Sequence, residues 1–271
     1  MCELFAMSSR HPATVRMSLE EFSRHGGLAG PHKDGWGIAY YEEGDVRLIK
    51  EPFAASESAC LRFVQDHPYR SSAVISHIRR ATQGRRSLAN TQPFARELGG
   101  RMHVFAHNGD LDGTRLRNSF PLGGYHPVGE TDSEYAFCAL LARVARIWQD
   151  TGRPPPVEQR LALVSEFAAE LRALGPANFL YADGDALFAH GHKRTHADGI
   201  RPPGLHVLCR SCAADSAAFR AEGLSIAPAA TTQEVVLVAS VPLTAGEPWE
   251  PVADGEVVAA RCGRIVARSA L

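Results

Sequence analysis

Between Met102 and His107 the side chains alternate, with Met102, Val104 and Ala106 on one side and His103, Phe105 and His107 on the other. A two-residue period of this kind is that of a β-strand with two unlike faces. The apolar, β-branched runs at 74–78 and 235–239 read as further buried strands. Segments 36–41 and 46–49 flank Glu43-Gly44-Asp45, and segments 179–181 and 186–188 flank Asp183-Gly184. Both pairs read as hairpins, because glycine takes the positive φ that a tight turn requires. Such a chain is rich in strands, several of them joined as hairpins.

Helical signals are interleaved with these strands. Thr131 and Glu134 have the capping-box spacing, and Phe137, Leu140, Leu141, Val144 and Ile147 follow on one face of a 3.6-residue period. After Pro154-Pro155-Pro156, residues Leu161, Val164, Ala168 and Leu171 continue a helical period until Gly175 and Pro176. Ser18 and Glu21, with Leu19 and Phe22 before Gly26 and Gly27, predict a short first helix. The class that results is α+β, sheets covered by helices. The proline-rich stretches at 202–204 and 242–251 read as loops, leaving one continuous domain over residues 2–271.

Composition narrows the function classes. In 271 residues, 29 Lys and Arg balance 30 Asp and Glu, for a formal charge of −1, so no global basic field recruits nucleic acid. The longest strongly apolar stretch, 235–241, falls far short of the ~20 residues of a membrane-spanning helix. The start Met1-Cys2-Glu3-Leu4 lacks the pattern of a secretory signal, which makes the cytoplasm the expected location. Six cysteines, Cys2, Cys60, Cys138, Cys209, Cys212 and Cys262, are too few for a disulfide framework in such a setting. Cys209 and Cys212 have no second pair to complete a zinc site, and His190, His192 and His196 read as decoration of a hairpin and its loop. No metal or organic cofactor is expected.

Reactive residue types fall at the ends of these elements. Cys2 follows the initiator methionine, whose removal would leave a thiol beside a free α-amine. With a pKa of ~7.7–8.0, roughly a tenth to a fifth of such an amine is neutral at pH 7 and can take the thiol proton. His77-Ile78-Arg79-Arg80-Ala81-Thr82-Gln83-Gly84 closes the strand at 74–78, where an arginine can grip a carboxylate by two parallel hydrogen bonds. His107-Asn108-Gly109 closes the alternating strand, where an amide side chain and a backbone N–H can converge on one oxygen. Asp132 stands in the first turn of the clearest helix. Each residue alone has an ordinary explanation as a packed thiol, a solvated arginine, a turn or a helix-end charge. Their joint order is far more specific.

That order resembles the class II glutamine amidotransferases of the amino-terminal-nucleophile hydrolase superfamily. The resemblance rests on Cys2, the His-x-Arg-x-Ala-Thr segment at 77–82, His107-Asn108-Gly109 and Thr131-Asp132-Ser133-Glu134. Asp34-Gly35-Trp36-Gly37-Ile38 and Asn90-Thr91-Gln92-Pro93-Phe94 look like segments of the stand-alone bacterial members. The resemblance implies a four-layer αββα sandwich of two mainly antiparallel sheets flanked by helices, and hydrolysis of the glutamine side-chain amide through a γ-glutamyl thioester, releasing ammonia and glutamate. It makes Cys2 the nucleophile and Asn108 and Gly109 the oxyanion donors. Arg79, aided by Thr82, would hold the substrate α-carboxylate, and Asp132 the α-amino group. Gln83 and Arg80 depart from a common form of the family, which has histidine and an aromatic residue there. Arg85 and Arg86 complete a basic cluster in the same segment. Two alternatives remain open at this stage, a hydrolase of another γ-glutamyl amide and a non-catalytic binding subunit. Any acceptor of the ammonia would be a separate enzyme.

Overall fold

The computed structural model describes residues 2–17, 34–67, 69–79, 84–148, 153–212, 219–221, 224–227 and 232–269. The first helix expected after Ser18 lies outside them, as do Arg80, Thr82 and Gln83. One sheet runs in the order His206–Cys212, Gln233–Ala239, β1 (Glu3–Met17), β4 (Arg70–Ile78), β2 (Trp36–Glu42), β3 (Asp45–Glu51), with three short strands at its margins. The second runs Arg264–Arg268, Val257–Arg261, β8 (Leu187–His190), β7 (Ala177–Ala182), β6 (Arg101–Gly109), β5 (Phe94–Leu98). Neighbouring strands in both sheets are antiparallel. Among the described residues four α-helices accompany them: α1 (Ala59–Asp66), α2 (Gly113–Ser119), α3 (Asp132–Val144) and α4 (Val157–Arg172).

The alternation seen in the sequence separates the layers. Leu4, Ala6, Ala39, Ile75, Val104, Ala106, Leu180 and Ala189 point between the sheets and form a core of small and branched side chains. The intervening residues point outward: Phe5, Trp36, Ile38 and Val74 pack with Leu61 and Val64 of α1, while Phe105, Phe179 and Phe188 pack under α3 and α4. Phe105 stacks on Phe137 at 5.4 Å between ring centroids. Alanines and valines let two sheets approach closely, and aromatic rings fill the wider space beneath helices. The result is the expected four-layer αββα sandwich. The turn between β2 and β3 uses positive φ at Glu43 and Gly44, as its sequence requires.

Two details differ from the sequence reading. Helix α3 ends at Val144, so Ile147 lies beyond it and Trp148 is buried instead. Thr131 caps α3 by accepting from the Glu134 N–H, but the Glu134 carboxylate turns to the Val128 and Gly129 N–H groups and to Arg96. Holding the preceding loop, it satisfies two backbone donors that a simple capping box would have left to solvent.

His190 lies on the β7–β8 hairpin and His192 just after it, and the structure adds their burial to that reading. Both are buried, His190 at the end of β8 bonded to the Glu256 carbonyl and His192 accepting from the Ala177 N–H. His190 is a core side chain because β8 is an interior strand whose outer face lies under helices, and His192, just beyond β8, is held against the start of β7. Burial pushes His190 down to about 3 and His103, bonded to the Tyr181 hydroxyl, down to about 4. The unfolded chain therefore binds protons below pH ~6.5 that the native chain refuses, so stability falls as pH falls from there toward those values. Each of the two histidines contributes a slope of about 1.4 kcal/mol per pH unit in that window. Urea unfolding at pH 7 and pH 5 should show a clear loss at pH 5; equal stabilities would contradict it.

Candidate active site

Strand register assembles the site. Glu3 and Trp36 both pair with Ile78, so the start of β1, the start of β2 and the end of β4 lie together. This brings Cys2, Gly35 and Arg79 to one end of the first sheet, with the Arg79 N–H bonded to the Gly35 carbonyl at 2.8 Å. Across the sandwich, β6 ends at Gly109 opposite the start of β7, with Asn108 paired to Asn178. At this end of the sandwich a hydrogen bond crosses between the sheets, Asn108 Nδ2 donating to the Cys2 carbonyl at 2.7 Å. Cys2 is half-buried and its thiol is free of any disulfide.

Arg79 is buried, and its guanidinium donates to the carbonyls of Gly84 at 3.2 Å, Asp34 at 3.4 Å and Arg85 at 3.5 Å. Burial lowers its pKa, while the neighbouring Cys2 thiol and Asp34 carboxylate oppose that shift. An arginine keeps its charge through such a shift, so this is a fixed cation beside Cys2. Arg86, by contrast, is half-exposed and pairs with Asp34 at 2.7 Å, and Arg85 lies out in solvent near Glu130.

Asp132 is the first residue of α3 and is buried. Its Oδ2 accepts from the Leu111 N–H at 2.9 Å, and its Oδ1 accepts from the Ser133 N–H at 2.8 Å and from Ser133 Oγ at 3.3 Å. An ionised carboxylate accepts about four hydrogen bonds, which leaves capacity for an ammonium. Gly109 has no room for a side chain: a Cβ there would sit 1.8 Å from the Pro176 carbonyl oxygen and 2.6 Å from His107 Nε2.

Three supporting residues had no assigned role in the sequence. The β5–β6 ladder stops at Phe94 and Phe105, and beyond it the Gln92 side chain takes over. Its Oε1 accepts from the His107 N–H at 2.6 Å and its Nε2 donates to the His107 carbonyl at 3.1 Å, replacing a strand partner just before Asn108. Asn178 Nδ2 donates to the Asn108 and Lys193 carbonyls, and its Oδ1 accepts from the His192 N–H. Ser133 Oγ meets His107 Nδ1 at 2.9 Å. Buried amides beside strand ends were the available sequence signal, since such groups must find partners.

Two antiparallel sheets sandwiched between helices, with a cysteine at the start of the first strand, define the amino-terminal-nucleophile hydrolase fold. Residues 1–270 match the family model of class-II glutamine amidotransferases, and the chain belongs to that family. It is 37% identical over 258 residues to "Putative glutamine amidotransferase YafJ" of Escherichia coli (strain K12), covering 94% of this chain and 96% of that one. It is 32% identical over 278 residues to the uncharacterized protein MJ1515 of Methanocaldococcus jannaschii, covering 98% of this chain and 71% of that one. Among solved structures, a predicted glutamine amidotransferase from Pseudomonas aeruginosa PA01 superposes with a TM-score of 0.71 at 37% identity, covering 98% of this chain and all of that one. The glutamine phosphoribosylpyrophosphate amidotransferase of B. subtilis shares the fold, with a TM-score of 0.57 at 16% identity over 96% of this chain and 47% of that one. No helix among the described residues is long and apolar enough to cross a membrane.

Proposed function

We propose that this chain hydrolyses the side-chain amide of glutamine with Cys2 as its amino-terminal nucleophile. The observation that carries the reading is the 2.7 Å bond from Asn108 Nδ2 to Cys2, made within reach of the buried Arg79 charge. Once Met1 is removed, the Cys2 α-amine takes the thiol proton and Sγ attacks the amide carbon. The carbonyl oxygen becomes an anion, met by the second N–H of the Asn108 amide and by the Gly109 backbone N–H. The amide nitrogen leaves as ammonia with the proton held by the amine, giving the γ-glutamyl thioester. Water adds to that thioester, restores the thiol and releases glutamate.

Arg79 holds the substrate α-carboxylate, with Thr82 as a second donor from the same segment, and Asp132 accepts from the α-ammonium. This pairing suits a glutamyl group because its two charges are read by two fixed, buried countercharges. Ammonia is then passed to an acceptor supplied by another protein in the cytoplasm.

A glutamine-mimicking diazoketone tests the reading directly. Tandem mass spectrometry of the treated protein should place a single adduct on Cys2, as an unblocked amino-terminal residue. An adduct on another residue, or a retained Met1 with no adduct, would overturn it.

A further inference from the structure

Asp132 is tied to the oxyanion strand twice. The Leu111 N–H, two residues after Gly109, donates to Oδ2, while Ser133 Oγ joins Oδ1 to His107 Nδ1, two residues before Gly109. The two links bracket Asn108 and Gly109 on either side, and His107, Asn108, Asp132 and Ser133 are all buried. Inside a protein, such a closed set of hydrogen bonds is stiffer than its separate members, because each bond polarises and orients the next. Gln92 braces the same segment through its backbone, clamping the His107 N–H and carbonyl.

We propose that Ser133 and His107 are positioning residues that hold Asp132 and the Asn108–Gly109 segment as one unit, fixing the distance between the ammonium acceptor and the oxyanion donors. The proposal rests on the glutaminase reading above and adds a specificity device to it. A fixed spacing acts as a ruler: it matches a γ-amide and misplaces the carbonyl of an amino-acid amide one methylene shorter. Ser133 touches no reacting atom in this scheme. It sets where Asp132 points.

The test compares two competitive inhibitors, L-glutamate and glutarate, which differ only in the α-ammonium that Asp132 reads. Ser133→Ala should raise the inhibition constant of L-glutamate about tenfold, the scale of one misdirected charge-assisted bond, and that of glutarate less than twofold. On glutamine, KM should rise more than kcat falls, and Ser133→Thr, which keeps the hydroxyl, should recover most of the loss. Thermal melting identifies any variant that fails to fold. An equal shift for both inhibitors, or none for either, would overturn the link while leaving the glutaminase reading intact. If the unaltered protein takes up no diazoketone label and binds neither inhibitor, both fall together.

Discussion

Cys2→Ala is expected to lower the turnover number for glutamine by about four orders of magnitude or more, the scale on which enzymes lose activity with their nucleophile. Three of the other thiols are poor substitutes. Cys138 lies inside α3, where burial pushes its thiol up to about 11, and burial also raises Cys60 and Cys209. A raised thiol holds little thiolate at neutral pH, and the thiolate is the reactive form. Cys2 is half-buried and its carbonyl keeps the bond to Asn108 in the variant, so the melting temperature should barely move. Ammonia release followed in a coupled assay, alongside a melting curve, separates lost chemistry from lost fold. A variant within tenfold of the parent would rule out the terminal thiol as nucleophile.

The layers of this fold were legible because both sides of each sheet are covered, one by helices and one by the other sheet. The alternation of Val104 and Ala106 with Phe105 therefore carries size as well as polarity. Strand pairing was not legible in the same way. Strand Gln233–Ala239 lies beside β1, more than 220 residues away in sequence, and no local pattern records such a partner. The length of β1 was also hidden, since Pro12 interrupts the strand signal and the chain absorbs it where the pairing register with β4 shifts between Ser8 and Ala13.

The site divides along a similar line. Cys2, Arg79, Asn108, Gly109 and Asp132 stood out because they terminate elements, where side chains and backbone N–H groups are released from the ladder. Gln92, Asn178 and Ser133 did not, because their partners lie 15, 70 and 26 residues away and are met only through the fold. His190 and His192 sit on the β7–β8 hairpin and just after it, as their spacing suggests, but their burial has no local signature: it comes from the interior place of β8 and from the contacts around it. The start of β1 shows how far such support extends. Glu3 is buried and paired with Arg194, whose guanidinium also reaches the Ser240 carbonyl, while the Leu4 N–H donates to Ser240 Oγ. Burial raises the Glu3 carboxyl and Arg194 opposes the rise. An ion pair held this deeply costs too much to break for the chain to wander, so the residue before it stays beside Asn108.

Asn108→Ala should lower kcat for glutamine by about 10²–10³ and change KM by no more than a few-fold. The asymmetry follows from where charge develops. In the bound substrate the amide oxygen is neutral and gains little from the Asn108 N–H; in the tetrahedral intermediate it carries a full negative charge that fixed donors stabilise far more. In the proposed reading Arg79 and Asp132 hold the far end of the substrate, and the substitution leaves both in place, so ground-state binding persists. The same residue also anchors the Cys2 carbonyl, and losing that anchor would slow every reaction of the thiol alike. Alkylation by iodoacetamide, which needs the thiol and no oxyanion donor, separates the two contributions. A rate near that of the parent protein with iodoacetamide, together with a collapsed kcat for glutamine, assigns the loss to the oxyanion; a KM increase at constant kcat would remove Asn108 from that role.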